Sequence, residues 1–121
     1  MGTGVGSMRM ARIFWTTAIL SGVLWASRAV GGEAYVIEQK DKQFVYKGKK
    51  ITVLKLKVGD VVEFRNVDSF FHNVFSLSDV KMFDLGSYPQ GQSKSVQFDK
   101  PGKVEIECAI HPQMHMTVEV K

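Results

Sequence analysis

A nine-residue stretch near the C-terminus, CAIHPQMHM, places thiol, imidazole and thioether groups close together in the chain. Cys108 is the single cysteine of the 121-residue sequence, and His111 and Met114 follow it at intervals of three residues. A tight loop with this spacing can direct all three side chains to one point. A single cysteine excludes a disulfide within the chain, which leaves a reactive thiol, an intermolecular bridge or a metal ligand.

A further imidazole, His72, lies in the apolar segment FFHNVF. Taken alone, a buried hydrogen-bonded histidine and a buried cysteine acting as a small hydrophobic residue are the simpler interpretations. Together with His111 and Met114 they make two imidazoles, one thiolate and one thioether. This set suits copper held by two His and one Cys in a plane, with a distant axial Met. Sulfur donors favour Cu(I) and imidazoles accept Cu(II), so the set predicts one-electron transfer.

Other chemistries fit this set less well. Structural zinc sites usually contain more cysteines and rarely a methionine. Residues 108–116 include no carboxylate that could act as a general base. The sequence therefore does not predict an enzyme.

The segments that must position these groups follow a β pattern. In 103–108, Val104, Ile106 and Cys108 alternate with charged residues, which is typical of a half-buried strand and turns the sulfur inwards. Similar short segments between Gly and Pro turns predict an all-β Greek-key β-sandwich of seven or eight strands. The stretch 79–88 is predicted to be irregular, with a helical turn. The predicted strands are 35–37, 44–46, 51–57, 61–66, 72–77, 94–98, 103–108 and 117–121.

Residues 1–34 are predicted to be a secretory signal peptide. Two arginines precede an uncharged apolar run at 13–26, and small residues follow it. This run is shorter than the about 20 residues that a spanning helix needs. Cleavage between Ala29 and Ala34 is therefore favoured over an uncleaved anchor. The prediction is a mature domain, 35–121, in the periplasm without stable membrane association.

The mature domain carries little net charge. From residue 35 onwards the chain has 13 Lys and Arg against 11 Asp and Glu, a net charge near +2. This excess is too small to predict nucleic-acid binding. Lys47, Lys49 and Lys50 form one small basic cluster, interpreted as a solvated turn. We expect a monomer.

Three motifs carry a family resemblance. HNV at 72–74 matches the segment that holds the first histidine ligand in the plastocyanin, amicyanin and pseudoazurin branch of the cupredoxins, the small blue copper proteins. CAIHPQM at 108–114 matches the short ligand loop of amicyanins, and VGD at 58–60 is similar to a hairpin that precedes the first histidine. The resemblance spans 35–121 and implies one copper ion per chain. The implied ligands are His72, Cys108, His111 and Met114.

The axial methionine has two candidates. Plastocyanins and pseudoazurins have four residues between the second histidine and the axial methionine, which would select Met116, whereas the amicyanin pattern has two and selects Met114. Met116 is in phase with Val118 and Val120, so it is predicted to be a core residue of the last strand. Met114 is therefore favoured, Met116 is the alternative, and His115 is expected to point outwards.

Two positions depart from the family pattern. Phe71 stands where plastocyanins usually have proline, and Ala109 stands where a serine or threonine hydroxyl often bonds the asparagine after the first histidine. Asn73 is still predicted to bond the backbone of the Cys108 loop and to tie the two ligand segments together.

The resemblance implies a one-electron carrier between transiently bound redox proteins, with His111 as the exposed electron port. One alternative is a copper-delivery protein that uses Met82, Met114, His115 and Met116 as extra soft contacts, and another is a copper-binding subunit of a larger oxidase. We expect an apolar collar of up to four residues around this port. Of its two neighbouring phenylalanines, at least one is expected to lie in the core instead. The collar residues are Phe70, Phe71, Ile110 and Pro112.

Overall fold

The computed structural model describes residues 32–121, which form β-strands joined by turns and contain no helix. The predicted signal peptide lies outside the described residues except for its last three positions, 32–34. Within the described range, no helix is long and apolar enough to cross a membrane.

Within residues 32–121, ten strands form two five-stranded sheets. The first sheet has the order β3-β2-β1-β5-β8 and the second has the order β4-β10-β9-β6-β7. The pairs β1–β5 and β4–β10 are parallel, and the other paired strands are antiparallel. The strands are β1 (Ala34–Lys40), β2 (Gln43–Tyr46), β3 (Lys49–Lys50), β4 (Val53–Leu56), β5 (Val61–Asn66), β6 (His72–Ser76), β7 (Phe83–Tyr88), β8 (Ser93–Gln97), β9 (Gly102–Glu107) and β10 (His115–Val120).

The core lies between the two sheets, as the alternating pattern predicts. In β10, Met116, Val118 and Val120 are buried while the residues between them are at least partly exposed. Strands β4 and β9 show the same alternation. Because one face of each sheet carries the apolar side chains, the two faces pack together as the predicted β-sandwich.

The strand count is higher than the predicted seven or eight. Residues 49–50 form the short edge strand β3, and the stretch predicted to be irregular contains β7. In β7 the pairing with β6 shifts by one residue, and Gly86 adopts a φ of 73°. Such a bulge interrupts the alternation along the strand, which explains why the sequence pattern missed it.

Candidate metal centre

Three donor atoms from separate elements converge at one end of the sandwich. His72 begins β6, Cys108 follows β9, and His111 lies in the loop before β10. The two Nδ1 atoms are 3.1 Å apart, and the Cys108 Sγ lies 3.8 Å from each of them. Each separation is shorter than two bonds from a first-row metal to nitrogen or sulfur, about 4 Å in total. One ion can therefore contact all three atoms.

The donors are largely removed from water. His72 and Cys108 are buried, and His111 is partly exposed. The loop that carries Cys108 and His111 is closed by two backbone hydrogen bonds. The Cys108 N–H donates to the Met114 carbonyl at 3.3 Å, and the Met114 N–H donates to the His111 carbonyl at 2.8 Å. Three of the four predicted ligands thus belong to one compact loop.

The two methionines occupy different places. Both are buried, but Met116 lies opposite Ile106 in the β9–β10 ladder, among the core residues. Met114 belongs to the loop that holds Cys108 and His111. His115 is exposed and its Nε2 lies 2.7 Å from Glu105 Oε2, on the outer face of the sheet.

A buried carboxylate fixes the ring of His72. Asp68 Oδ2 lies 2.7 Å from His72 Nε2, which leaves Nδ1 facing the other donors. Asp68 also accepts the backbone N–H groups of Asp41 and Lys42 at 2.8 and 3.1 Å. Burial raises the pKa of Asp68, but the hydrogen bonds from His72 and from the two N–H groups outweigh it and lower the pKa overall. The charged carboxylate therefore favours a proton on His72 Nε2.

The loop that presents Asp68 is organised by Asn66. The fully buried Asn66 side chain donates to the carbonyls of Phe70 and Tyr88, at 2.8 and 3.0 Å, and accepts the Asp68 N–H at 2.8 Å. Three hydrogen bonds from one side chain thus set the path of residues 66–72.

Asn73 ties the two ligand segments together. Its Oδ1 accepts the N–H of Ala109 at 2.8 Å, next to Cys108. The predicted bond to the backbone of the Cys108 loop is therefore present without a hydroxyl at position 109. Below it, the buried Gln39 side chain donates to the Asn73 carbonyl at 3.4 Å.

Exposed apolar residues lie beside His111 in space or in the chain. The Phe70 ring lies 5.2 Å from the His111 ring and 5.3 Å from the His72 ring, and Ile110 is 47% exposed. The expectation that Phe70 or Phe71 lies in the core is wrong, because they are 38% and 54% exposed. Both belong to the loop before β6, where the alternation of a strand does not apply. Pro112 is exposed as well.

The environment of His111 favours its neutral form. Burial lowers the pKa of His111, and the nearby His72 and Lys42 lower it further. A neutral imidazole keeps a lone pair for a metal ion.

Sequence reasoning missed Asp68 and Asn66. Asp68 lies in a loop, where periodicity gives no information about side-chain direction, and Asn66 is a polar residue at the last, inward-facing position of β5. One signal was present: an acidic residue four positions before a predicted histidine ligand, since ligating histidines commonly donate their second N–H to a carboxylate.

Comparisons with known proteins agree with this centre. Residues 33–121 match the family model described as copper binding proteins, plastocyanin/azurin family. The methylamine utilization protein MauL of Methylorubrum extorquens is 32% identical over 68 residues, 55% of this chain and 60% of MauL. The match therefore spans less than two thirds of that relative.

Solved structures give the same likeness. Two structures of amicyanin variants, one reduced and one in the Cu(I) form, each superpose on this chain with a TM-score of 0.64 and 25% sequence identity. Each match covers 76% of this chain and 86% of the amicyanin chain. A copper-containing nitrite reductase from Thermus scotoductus SA-01 covers 84% of this chain but 25% of its own, with a TM-score of 0.65. At 24% identity that likeness shows the fold alone.

Proposed function

We propose, from the premise that the chain belongs to the plastocyanin/azurin family of copper-binding proteins, that it is a periplasmic one-electron carrier between transient redox partners. The proposed ligands are His72, Cys108, His111 and Met114. The observation that carries the proposal is the convergence of two Nδ1 atoms and one sulfur within 4.8 Å of one another.

The donor set fits copper. Two imidazoles and a thiolate match the in-plane donors of blue-copper centres, and a thioether in the same loop can serve as the weak axial donor. Copper would supply the couple between Cu(I) and Cu(II). The chain's part is to hold the donors still, through Asp68 on one ligand segment and Asn73 between the two. A site that changes little between oxidation states favours fast electron transfer.

His111 is the proposed electron port. It is the partly exposed member of the three converging donors, and the proposed collar consists of the exposed residues Phe70, Phe71, Ile110 and Pro112. An apolar rim lets a partner approach without a large desolvation cost, and redox interfaces of this kind are small and short-lived.

The geometry favours a carrier over copper delivery. Delivery would use further soft donors beside the site, but Met116 is fully buried in the core and His115 contacts Glu105 on the outer sheet face. Met82 is exposed, but it lies in the connection between β6 and β7, at the end of that hairpin away from His72.

The decisive experiment is visible and EPR spectroscopy of residues 35–121 loaded with Cu(II). We expect an intense thiolate-to-copper band that disappears on reduction and returns on oxidation. The matched control, Cys108→Ser, should lose the band and keep the fold. Copper binding without this band would contradict the carrier function and would favour delivery.

The proposed location has its own test. Fractionation of cells that express the full chain with a C-terminal tag should place a shortened product in the periplasm. A full-length product in the membrane fraction would instead indicate an uncleaved anchor.

A further inference from the structure

The charge of the domain is unevenly distributed. Residues 40–50 contain five lysines and one aspartate, a net charge of +4. The remaining described residues, 32–39 and 51–121, contain eight basic and eleven acidic side chains, a net charge of −3 with neutral histidines. One short segment therefore outweighs the acidic excess of the rest, which gives the domain an electric dipole.

This segment forms the outer edge of the first sheet. It runs from the end of β1 through β2 to β3, the last strand of that sheet. All five lysines are exposed, and none forms an ion pair with another residue of the described range 32–121. We call this surface the basic edge: Lys40, Lys42, Lys47, Lys49 and Lys50.

The basic edge reaches the metal centre through Lys42. The Lys42 Nζ lies 5.5 Å from the centre of the Phe70 ring, and that ring lies 5.2 Å from the ring of His111. The Lys42 backbone N–H is held by Asp68, which also bonds His72. The Lys42 end of the basic edge therefore lies beside the proposed electron port.

The other lysines continue this surface away from the port. Lys49 and Lys50 pair with Tyr46 and Val45 across the β2–β3 hairpin. Strand β2 has four residues, so the edge extends about 13 Å from Lys42 to the next turn. A surface of this length can meet several carboxylates of a partner at once.

We propose that the basic edge and the collar form one docking surface for a redox protein with an acidic face. This inference rests on the proposed electron-carrier function and adds the charge of the partner. The carboxylates of the partner pair with the lysines while its apolar contact covers the collar, which places its own redox centre near His111. Charge complementarity of this kind mainly accelerates encounter and selects partners.

A simpler role exists for part of the surface. Lysines on an edge strand prevent pairing with other sheets, and Lys49 and Lys50 lie on such a strand. That role does not explain Lys40 or Lys42, which flank the β1–β2 turn rather than the edge strand. The experiment below separates the two roles.

The test compares two variants with the same change in net charge. The first replaces the five lysines of the basic edge by glutamine. The matched control replaces five other exposed lysines, which also lack ion pairs within 32–121, by glutamine. The control positions are Lys55, Lys57, Lys100, Lys103 and Lys121.

The first measurement is the oxidation rate of the Cu(I) protein by hexacyanoferrate(III), an anion, at increasing ionic strength. We expect the edge variant to react about tenfold more slowly at low salt and with a weaker salt dependence. The control should stay within about twofold of the wild type, and Lys42→Gln alone should account for a large part of the effect. An equal loss in both five-lysine variants would mean that net charge alone acts, and it would overturn the proposal.

The second measurement needs no copper chemistry. A decaglutamate peptide titrated into the metal-free protein should shift the amide NMR signals of the basic edge and of Phe70, Phe71 and Ile110. Amide signal shifts that also include the control lysines would overturn the docking role. The same holds if the edge variant aggregates but binds the peptide as the wild type does, which would assign the lysines to edge protection. An absent blue band would instead refute the electron-carrier function, while the peptide titration would still report on the surface.

Discussion

The two histidines of the centre differ in how their rings are fixed. Asp68 gives His72 a defined orientation, because its carboxylate accepts the hydrogen bond from Nε2–H and leaves Nδ1 towards Cys108 and His111. His111 is carried by the short loop and faces solvent in part. One proposed ligand is thus positioned by a buried charge and the other by the loop.

Replacing Asp68 by Asn should weaken copper binding. The asparagine amide has one acceptor oxygen instead of two for the backbone N–H groups of Asp41 and Lys42. The negative charge that stabilises the Nε2–H form of His72 is also lost. We expect copper affinity to fall 10- to 100-fold, measured by competition with a chelator. Asp41→Asn is the control, because its exposed carboxylate takes no part in the network. An affinity equal to that of the wild type would show that Asp68 does not position the ring.

The axial position can be assigned with two matched variants. Met114→Leu should change the EPR spectrum and the reduction potential of the copper protein, because it removes the loop thioether. Met116→Leu should leave both unchanged, since Met116 packs in the core opposite Ile106. Each should alter the free energy of unfolding by less than about 1.5 kcal/mol, as expected for swaps of similar volume. A spectral change confined to Met116→Leu would reverse the assignment.

At the scale of elements, the β5–β6 connection is the part that positions His72. It carries Asp68, Phe70 and Phe71 and leads into His72, and it has no regular structure of its own between residues 67 and 71. Its path depends on the three hydrogen bonds of Asn66. The stability of the centre therefore depends on a residue that contacts none of the proposed ligands directly.

Replacing Asn66 by Ala should destabilise both the fold and the centre. Three backbone groups, two of them in buried hydrogen bonds, would lose the Asn66 side chain as a partner, so we expect the free energy of unfolding of the metal-free protein to fall by about 2–4 kcal/mol. Chemical denaturation measures this loss, and copper affinity should fall as well. Ser69→Ala, an exposed position in the same connection, should change stability by less than about 0.5 kcal/mol. A small effect at Asn66 would mean that the loop is held by its other contacts.

At the scale of the whole molecule, the proposed ligands join the ends of three strands. His72 begins β6, Cys108 follows β9, and Met114 precedes β10, so an ion bound there links three neighbouring strands of the second sheet. An ion that binds the folded form alone stabilises it by mass action.

Copper should therefore raise the melting temperature of the domain. At 100 times the dissociation constant, binding contributes about 2.7 kcal/mol, which corresponds to roughly 10–20 °C for a domain of this size. Calorimetry with copper and with a chelator measures the difference. His111→Ala should abolish most of the increase. An equal increase in that variant would place the stabilising ion elsewhere.

Much of the architecture could be predicted from local patterns. Alternation predicted the inward faces of β9 and β10, because a strand with one buried face repeats every two residues. It missed β7, where a bulge shifts the phase, and it placed one of Phe70 and Phe71 in the core. Both errors have the same cause, since periodicity applies only to regular strands.

The sequence by itself determined the chemical class of the centre. The residue types and their spacing in CAIHPQM, with His72 earlier in the chain, select soft and imidazole donors, because donor chemistry is a property of the side chains alone. The tertiary structure decided everything that depends on contacts between distant segments. It placed Asp68 behind His72, put Asn73 between the ligand segments, and brought Lys42 from the β1–β2 turn to the rim of the port. No local pattern encodes these contacts, because they arise only when two packed sheets bring the ends of separate strands together.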